Sequence, residues 1–275
     1  MGRFALMSGA ALAVVALVSG CSGGGSVVAG ADPLAVARKA TDVTLQAGSA
    51  KFVADARLST TTLGAMNAHM TGSYDFGRQV GEAELSGEGM TSRSILARNV
   101  IYEQGLGGRW RKTDYSSQVN TPVGQQDPGQ QLELLRGVSD DVRVAGTEQL
   151  RGESVQHFAI TIDPKRLAAN VNVVVPGSLT EKAIKASEPM PADVYVDEQG
   201  RVRKLTVKIA LLAANLDIGD IVGNVPEDLK RRLQDQIKNQ RGDGEFTIEY
   251  FDFGTPVSAQ VPDPSLVDEG PRFPR

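Results

Sequence analysis

The spacing of apolar residues changes once near the start of the chain. Between residues 34 and 47, apolar side chains recur every three or four positions, which predicts an amphipathic helix. Asp32 can cap this helix, Pro33 suits its first turn and Gly48 ends it. From Ala50 the period is two, as on a half-buried strand. The pattern therefore predicts one helix followed by strands.

The rest of the chain predicts an antiparallel meander interrupted by short helices. After the first strand, further strands are expected near residues 66–76, 80–88, 93–103, 108–113, 141–150, 153–163, 193–196, 201–212 and 245–253. Helices are expected at 129–137, 164–169, 178–186 and 226–239. This order is typical of an α+β fold built on a large antiparallel sheet.

The single cysteine, Cys21, follows an apolar leader. Arg3 supplies a positive charge, residues 4–17 are nearly free of charge, and the small residues Ser19 and Gly20 precede the cysteine. The apolar run is shorter than the ~20 residues that a membrane span needs. The arrangement resembles the bacterial lipoprotein box, in which the thiol is acylated and the leader is removed. We interpret residues 1–20 as a signal peptide and Cys21 as a lipid anchor that holds the protein on the extracytoplasmic side of the cell membrane.

Composition sets the domain boundaries and excludes some partners. Residues 21–31 form a Gly/Ser-rich tether, expected to be a flexible coil of about 18 Å. Residues 32–262 are interpreted as a single domain and 263–275 as a Pro-rich tail. Removal of Arg3 with the leader leaves 28 basic residues against 33 acidic ones, so we expect no nucleic-acid partner. With Cys21 acylated, no thiol remains for a disulfide.

The candidate chemistry for an enzyme is sparse. His69 and His157 are far apart, and strand alternation predicts that both face solvent. No metal-binding motif, nucleophile elbow or phosphate-binding loop is present in the sequence. The acidic pairs at 140–141 and 82/84 are explained by charged turns and solvated strand faces. We therefore expect neither catalysis, nor a metal, nor a cofactor.

The aliphatic character of the strands leaves two interpretations open. Only 5% of residues are aromatic, and the predicted inward faces favour Ala, Val, Leu, Ile and Met. Such alternation usually forms an ordinary core. It would equally suit a groove for alkyl chains, since each buried CH2 gains ~0.8 kcal/mol without specific polar contacts.

The order of elements resembles the LolA-like bacterial lipoprotein carriers, and most closely the LppX/LprG group of actinobacterial lipoproteins. The resemblance rests on the lipoprotein box at Cys21 and the helix of residues 32–48. Further matching stretches are Val100-Ile101-Tyr102, residues 108–112, Gly146-Thr147-Glu148, residues 152–158, residues 192–202 and residues 253–257. It implies a curved half-barrel sheet with helices packed on its concave side and a hydrophobic cavity for acyl chains between them.

The resemblance also suggests which residues line that cavity. The expected cavity-facing positions are Phe52, Ala54, Met70, Ile95, Phe158, Ile160, Val207 and Ile209. An apolar stretch beside Pro176-Gly177 is expected to form the rim, with Val171, Val173, Val175 and Leu179.

Two functions follow as hypotheses. The first is a membrane-anchored protein that binds and carries, or presents, the acyl chains of envelope lipids or lipoglycans. Its partners would be the lipid, the bilayer through Cys21, and a membrane transporter or other envelope protein. The alternative is an adaptor for envelope stress or assembly, which binds a protein partner through a LolA-like domain.

Overall fold

The computed structural model describes residues 28, 30–60, 64–87, 89–114, 127–170, 188–212, 226–238 and 241–272. Within these residues, twelve strands form one sheet. The strands are β1 Ser49–Thr60, β2 Gly64–Asp75, β3 Val80–Gly87, β4 Met90–Ala97, β5 Val100–Gln104, β6 Trp110–Asp114, β7 Arg143–Leu150, β8 Glu153–Ile162, β9 Met190–Asp197, β10 Val202–Leu212, β11 Arg241–Phe251 and β12 Val267–Arg272. The helices are α1 Pro33–Gln46, α2 Pro128–Glu133, α3 Pro164–Asn170 and α4 Glu227–Lys238.

The sheet consists of two meanders joined at their centre. The strand order is β12-β6-β5-β4-β3-β2-β1-β11-β10-β9-β8-β7. Neighbouring strands are antiparallel except for β12, which pairs parallel with β6. The pairing of β1 with β11 connects the meander of β1 to β6 with that of β7 to β11. The predicted α+β fold, a large curved antiparallel sheet with helices on one side, is confirmed.

Helix α1 forms as the sequence predicts. The Asp32 carboxylate accepts a hydrogen bond from the Ala35 backbone N–H at 3.2 Å, and Pro33 occupies the first turn. The helix buries Ala37 and Ala40 against the sheet. The Thr41 hydroxyl donates to the Leu132 carbonyl at 2.8 Å, just before the 3-10 turn of Leu134–Gly137. Helix α1 and this turn therefore cover the same face of the sheet.

One predicted strand is two strands in the structure. The stretch 93–103 divides into the ends of β4 and β5, with a turn in which Asn99 has a φ of 58°. Asparagine tolerates this left-handed conformation better than most residues. The turn has neither glycine nor proline, and apolar residues alternate on both sides of it. The sequence therefore gives no local sign of the turn.

The two ends of the predicted domain also differ from expectation. Val28, assigned to the flexible tether, is only 5% exposed and packs in the main core. The predicted tail contributes β12, whose Asp268 accepts from the Arg109 Nε at 2.8 Å. Residues 254–266, here called the C-terminal strap, lead to β12 across the face of the sheet opposite α1. Ala259 of the strap is buried against Val80.

Candidate functional site

The two faces of the sheet have opposite character. The inner face, which carries α1 and α2, holds the main apolar core. Register pairs Ala54 of β1 with Met70 of β2 and with Ile248 of β11, so apolar side chains continue from strand to strand. The outer face is largely polar, and on it the hydroxyl groups of Thr206 and Thr247 lie 3.0 Å apart. The inner face is therefore the candidate site for an apolar ligand.

Seven of the eight predicted cavity positions lie together on the inner face. They are Phe52, Ala54, Met70, Phe158, Ile160, Val207 and Ile209, and each is less than 10% exposed. Their burial is what a core requires and is also what the wall of a closed cavity requires. A cavity at these positions therefore stays a proposal.

The assignment of Ile95 to this set needs correction. Ile95 faces Glu82 of β3 and Tyr102 of β5 on the outer face. There it packs with Val80 and Ala259, beneath the C-terminal strap. Because side chains alternate between the two faces, its neighbour Leu96 points into the main core instead.

Burial on the inner face decreases along β1 and β2, although it stays complete on β8, where Ile162 is 0% exposed. At the end where β1 begins, here called the closed end, helices cover the sheet, and Tyr74 and Tyr250 are 1% exposed. Towards the end where β1 meets β2, here called the open end, Leu58 and Met66 are half-buried and Ala68 is exposed. Sequence reasoning omitted these three positions, although they continue the same alternation.

A buried polar cluster lies at the closed end. The Asp127 carboxylate accepts from the Tyr74 hydroxyl at 2.9 Å and from the Gly129 backbone N–H at 2.8 Å, and it caps α2. The Tyr250 hydroxyl donates to the Pro128 carbonyl at 2.6 Å. Desolvation raises the pKa of Asp127 from 3.8 to about 6, against the opposing effect of these hydrogen bonds. The cluster holds α2 on the sheet.

The raised pKa of Asp127 predicts a pH dependence of stability. Because the protonated acid is favoured in the fold, its stabilisation is complete below pH 3.8 and is lost as the pH rises through about 6. The loss is about 3 kcal/mol at 1.36 kcal/mol per pKa unit. The variant Asp127→Asn keeps a capping side chain and cannot ionise. Its free energy of unfolding, measured in urea relative to wild type, should therefore rise between pH 4 and pH 7.5 by roughly that amount.

Asp263→Asn is the matched control for this experiment. Asp263 caps an exposed 3-10 turn, and hydrogen bonds from Ser265 lower its pKa. Its contribution is lost only as the pH falls below about 3.8, so between pH 4 and pH 7.5 the stability of this variant relative to wild type should change little. A flat difference for Asp127→Asn across the same range would show that Asp127 ionises normally in the fold.

The two histidines have different surroundings. His69 lies on the outer face as predicted, half-exposed, with Nδ1 2.8 Å from Asp55. The prediction that His157 faces solvent is wrong in part, because its side chain is only 16% exposed. It points outward, but Glu148 of β7 and Asp193 of β9 bracket it at 3.1 and 2.7 Å, and Tyr195 stacks on its ring.

Of the acidic pairs, Asp140, Asp141 and Glu82 form surface ion pairs. Asp140 binds Arg38 at 2.8 Å and also Arg166, and Glu82 lies 3.3 Å from Arg93. The two arginines lower the pKa of Asp140 to about 2, with Arg166 contributing more. The carboxylate of Asp140 is therefore an ionised partner of two cations, which does not suit general acid catalysis.

Some predicted positions lie outside the described residues. They are Cys21, the leader and the rim residues Val171, Val173, Val175 and Leu179. Among the residues that are described, no helix is long and apolar enough to cross a membrane. In that same part of the chain, no three His, Cys, Asp or Glu side chains come together as a metal site.

Comparison with known proteins adds structural neighbours. No family model matches the sequence, and no curated protein matches it either. The structure is similar to that of the lipoprotein LppX from Mycobacterium tuberculosis, with a TM-score of 0.45 and 16% identity over 84% of this chain and 100% of that one. It is also similar to LprF from Mycobacterium bovis, with a TM-score of 0.41 and 12% identity over 84% of this chain and 96% of that one. A LolA superfamily protein from Nitrosomonas europaea gives a TM-score of 0.30 and 7% identity over 81% of this chain and 94% of that one. The neighbours thus include proteins of the group that the sequence resembles.

Proposed function

We propose that this protein is a membrane-anchored lipoprotein that binds the acyl chains of envelope lipids or lipoglycans and carries or presents them. The observation that carries the proposal is the aliphatic inner face, which continues from the helix-covered core to Leu58, Met66 and Ala68 at the open end. An alkyl chain laid along these positions would extend the existing core. Cys21 would hold the domain at the bilayer from which the lipid comes.

The chemistry of this face suits a chain without polar groups. Phe246 and Ile209 offer only hydrocarbon, and the polar groups nearest the closed end, Tyr74 and Asp127, already bind each other. Each methylene that leaves water gains ~0.8 kcal/mol, so a segment of about ten would gain roughly 8 kcal/mol before the entropy of ordering is subtracted. Affinity would then depend on chain length more than on the head group.

The proposal places exchange of the lipid at the open end. The predicted rim residues Val171, Val173, Val175 and Leu179 follow α3 in the chain and precede β9, which starts at that end. We propose that they border the bound chain. A transporter or other envelope protein would receive or supply the lipid there.

The first test is mass spectrometry under native conditions on residues 22–275, made without the acylated cysteine in a bacterial host. A discrete adduct that is absent after denaturation and extracts into organic solvent is the expected result. A clean mass, together with no binding of fluorescent fatty-acyl probes, would contradict the carrier function and favour the adaptor of a protein partner.

A pair of neighbouring variants tests which face binds the chain. Ala56 is half-buried on the inner face, whereas Arg57 is exposed on the outer face of the same strand. Ala56→Trp should displace about two methylenes of a bound acyl probe, which corresponds to about a tenfold loss of affinity. Arg57→Trp should leave the affinity unchanged. Titration of a fluorescent fatty-acyl probe measures both, and equal affinities would show that the inner face near the open end is not the site.

A further inference from the structure

The direction of helix α1 determines which end of the sheet lies nearer to the N-terminal part of the chain. In the first half of α1, Arg38 Nη2 lies 2.8 Å from Asp140 Oδ1. Asp140 follows Ser139, whose backbone N–H donates to the Thr161 carbonyl at 2.9 Å, one residue before β8 ends. Near the end of α1, the Thr44 hydroxyl accepts from the backbone N–H of Val202, the first residue of β10, at 2.8 Å.

These contacts fix the direction of α1. Register pairs Ile160 of β8 with Ala192 of β9, and Ala192 with Val207 of β10. Val207 pairs in turn with Phe246 of β11, which pairs with Ala56 of β1. The end of β8 is thus at the open end, and the start of β10 is at the closed end. Helix α1 therefore begins towards the open end and runs to the closed end.

Burial of Val28 shortens the stretch of sequence between Cys21 and the folded domain. Val28 is 5% exposed within the main core, and its carbonyl accepts from the Ala31 backbone N–H at 3.3 Å. Only residues 21–27 then separate Cys21 from the folded domain. Seven residues reach at most about 24 Å when fully extended.

The strands are longer than this reach. The ten residues of β8 span roughly 33 Å at about 3.3 Å per residue. Helix α1 rises about 21 Å over its 14 residues, so a domain standing on its closed end would need residues 21–27 to be almost fully extended, whereas a flexible coil of seven residues spans only about 15 Å. A domain standing on its open end keeps the start of α1 within reach.

We propose that the open end of the sheet is the surface that faces the membrane in which Cys21 is anchored. This surface presents the half-buried Leu58 and Met66 and the exposed Ala68. Helix α4, which carries Leu229 at 39% exposure, lies in the connection from β10 to β11, two strands that end and start at the open end. The partner of this surface is the lipid bilayer itself. The inference rests on the proposed function for its lipid anchor but not on acyl-chain binding by the domain.

The test measures the distance of each end from the lipid head groups. The full acylated lipoprotein is reconstituted in vesicles of phosphatidylcholine and phosphatidylglycerol that carry a nitroxide on the head group. Since the acylated Cys21 has no free thiol, single cysteines can be labelled with a fluorophore at Ser59→Cys, near the open end, or at Glu198→Cys, in the turn at the closed end. Both positions are exposed.

We expect severalfold stronger quenching of the label at position 59 than of that at position 198. Insertion of about ten Gly/Ser residues before Ser26 extends the reach beyond the length of the strands without touching the core, so the difference should shrink. Equal quenching without the insertion, or stronger quenching at position 198, would overturn the proposed orientation. Binding of a fluorescent fatty-acyl probe is measured on the same samples. Its absence alongside asymmetric quenching would refute carriage of lipid and leave the orientation standing.

Discussion

Replacing Ala259 by aspartate is expected to destabilise the folded protein by about 4 kcal/mol, the scale of an unpaired buried charge. Ala259 is 3% exposed and packs with Val80 and Ile95 on the outer face. A carboxylate there has to stay buried without a partner or lift the C-terminal strap away. Lifting the strap would also break the hydrogen bonds that Arg78 donates to the carbonyls of Val257 and Ala259.

The effect is measured by urea unfolding followed through tryptophan fluorescence. Trp110 is the only tryptophan in the sequence and packs against the same cluster, so its emission reports on the strap directly. Val261→Asp is the matched control, because Val261 is 53% exposed on the same strap and should change stability by less than about 0.5 kcal/mol. Equal stability of the two variants would mean that the strap does not pack on the sheet in solution.

Replacing Phe52 by alanine is expected to cost about 4 kcal/mol of stability, typical of a buried aromatic residue. Phe52 is 1% exposed at the closed end. Its ring lies so close to Gly72 that a Cβ built there would be 3.0 Å from Cε1. The ring of Phe52 therefore packs closely against the backbone of β2 at Gly72.

This variant also separates the core from the proposed binding surface. Since Phe52 lies at the closed end, Phe52→Ala should lower the urea midpoint without weakening the affinity for a fatty-acyl probe. Val53→Ala changes the next residue, half-buried on the outer face, and should cost less than about 1 kcal/mol. A large loss of probe affinity in correctly folded Phe52→Ala would place the bound chain deeper in the domain than we propose.

Local signals in the sequence were sufficient where the structure depends on local geometry. Asp32 and Pro33 start α1 through contacts within one helical turn. The hairpin of β7 and β8 turns at Arg151 and Gly152, both at positive φ, as a two-residue turn between right-twisted strands requires. In these cases the residues that decide the structure are close together in the chain.

The errors concern contacts between residues that are distant in the chain. His157 is shielded by Asp193 of β9, a residue no inspection of β8 alone could place. Ile95 and Leu96 are both apolar neighbours on β4, so the sequence of that strand alone does not show which of them faces the main core, and the pairing with β3 and β5 decides it. The parallel pairing of β12 with β6 has no local signature in a Pro-rich segment.

The pairing of β1 with β11 affects the order in which the chain folds. Residues 52 and 250 face each other across the centre of the sheet, so the pair closes a loop of about 200 of the 275 residues. Contacts of such long range form slowly, because the entropy of closing the loop must be lost before the contact stabilises anything. Each meander can form early from neighbouring strands, but a chain made from its N-terminus lacks the central partner of β1 until its last strands are complete. Completion of the sheet is therefore a late event in folding.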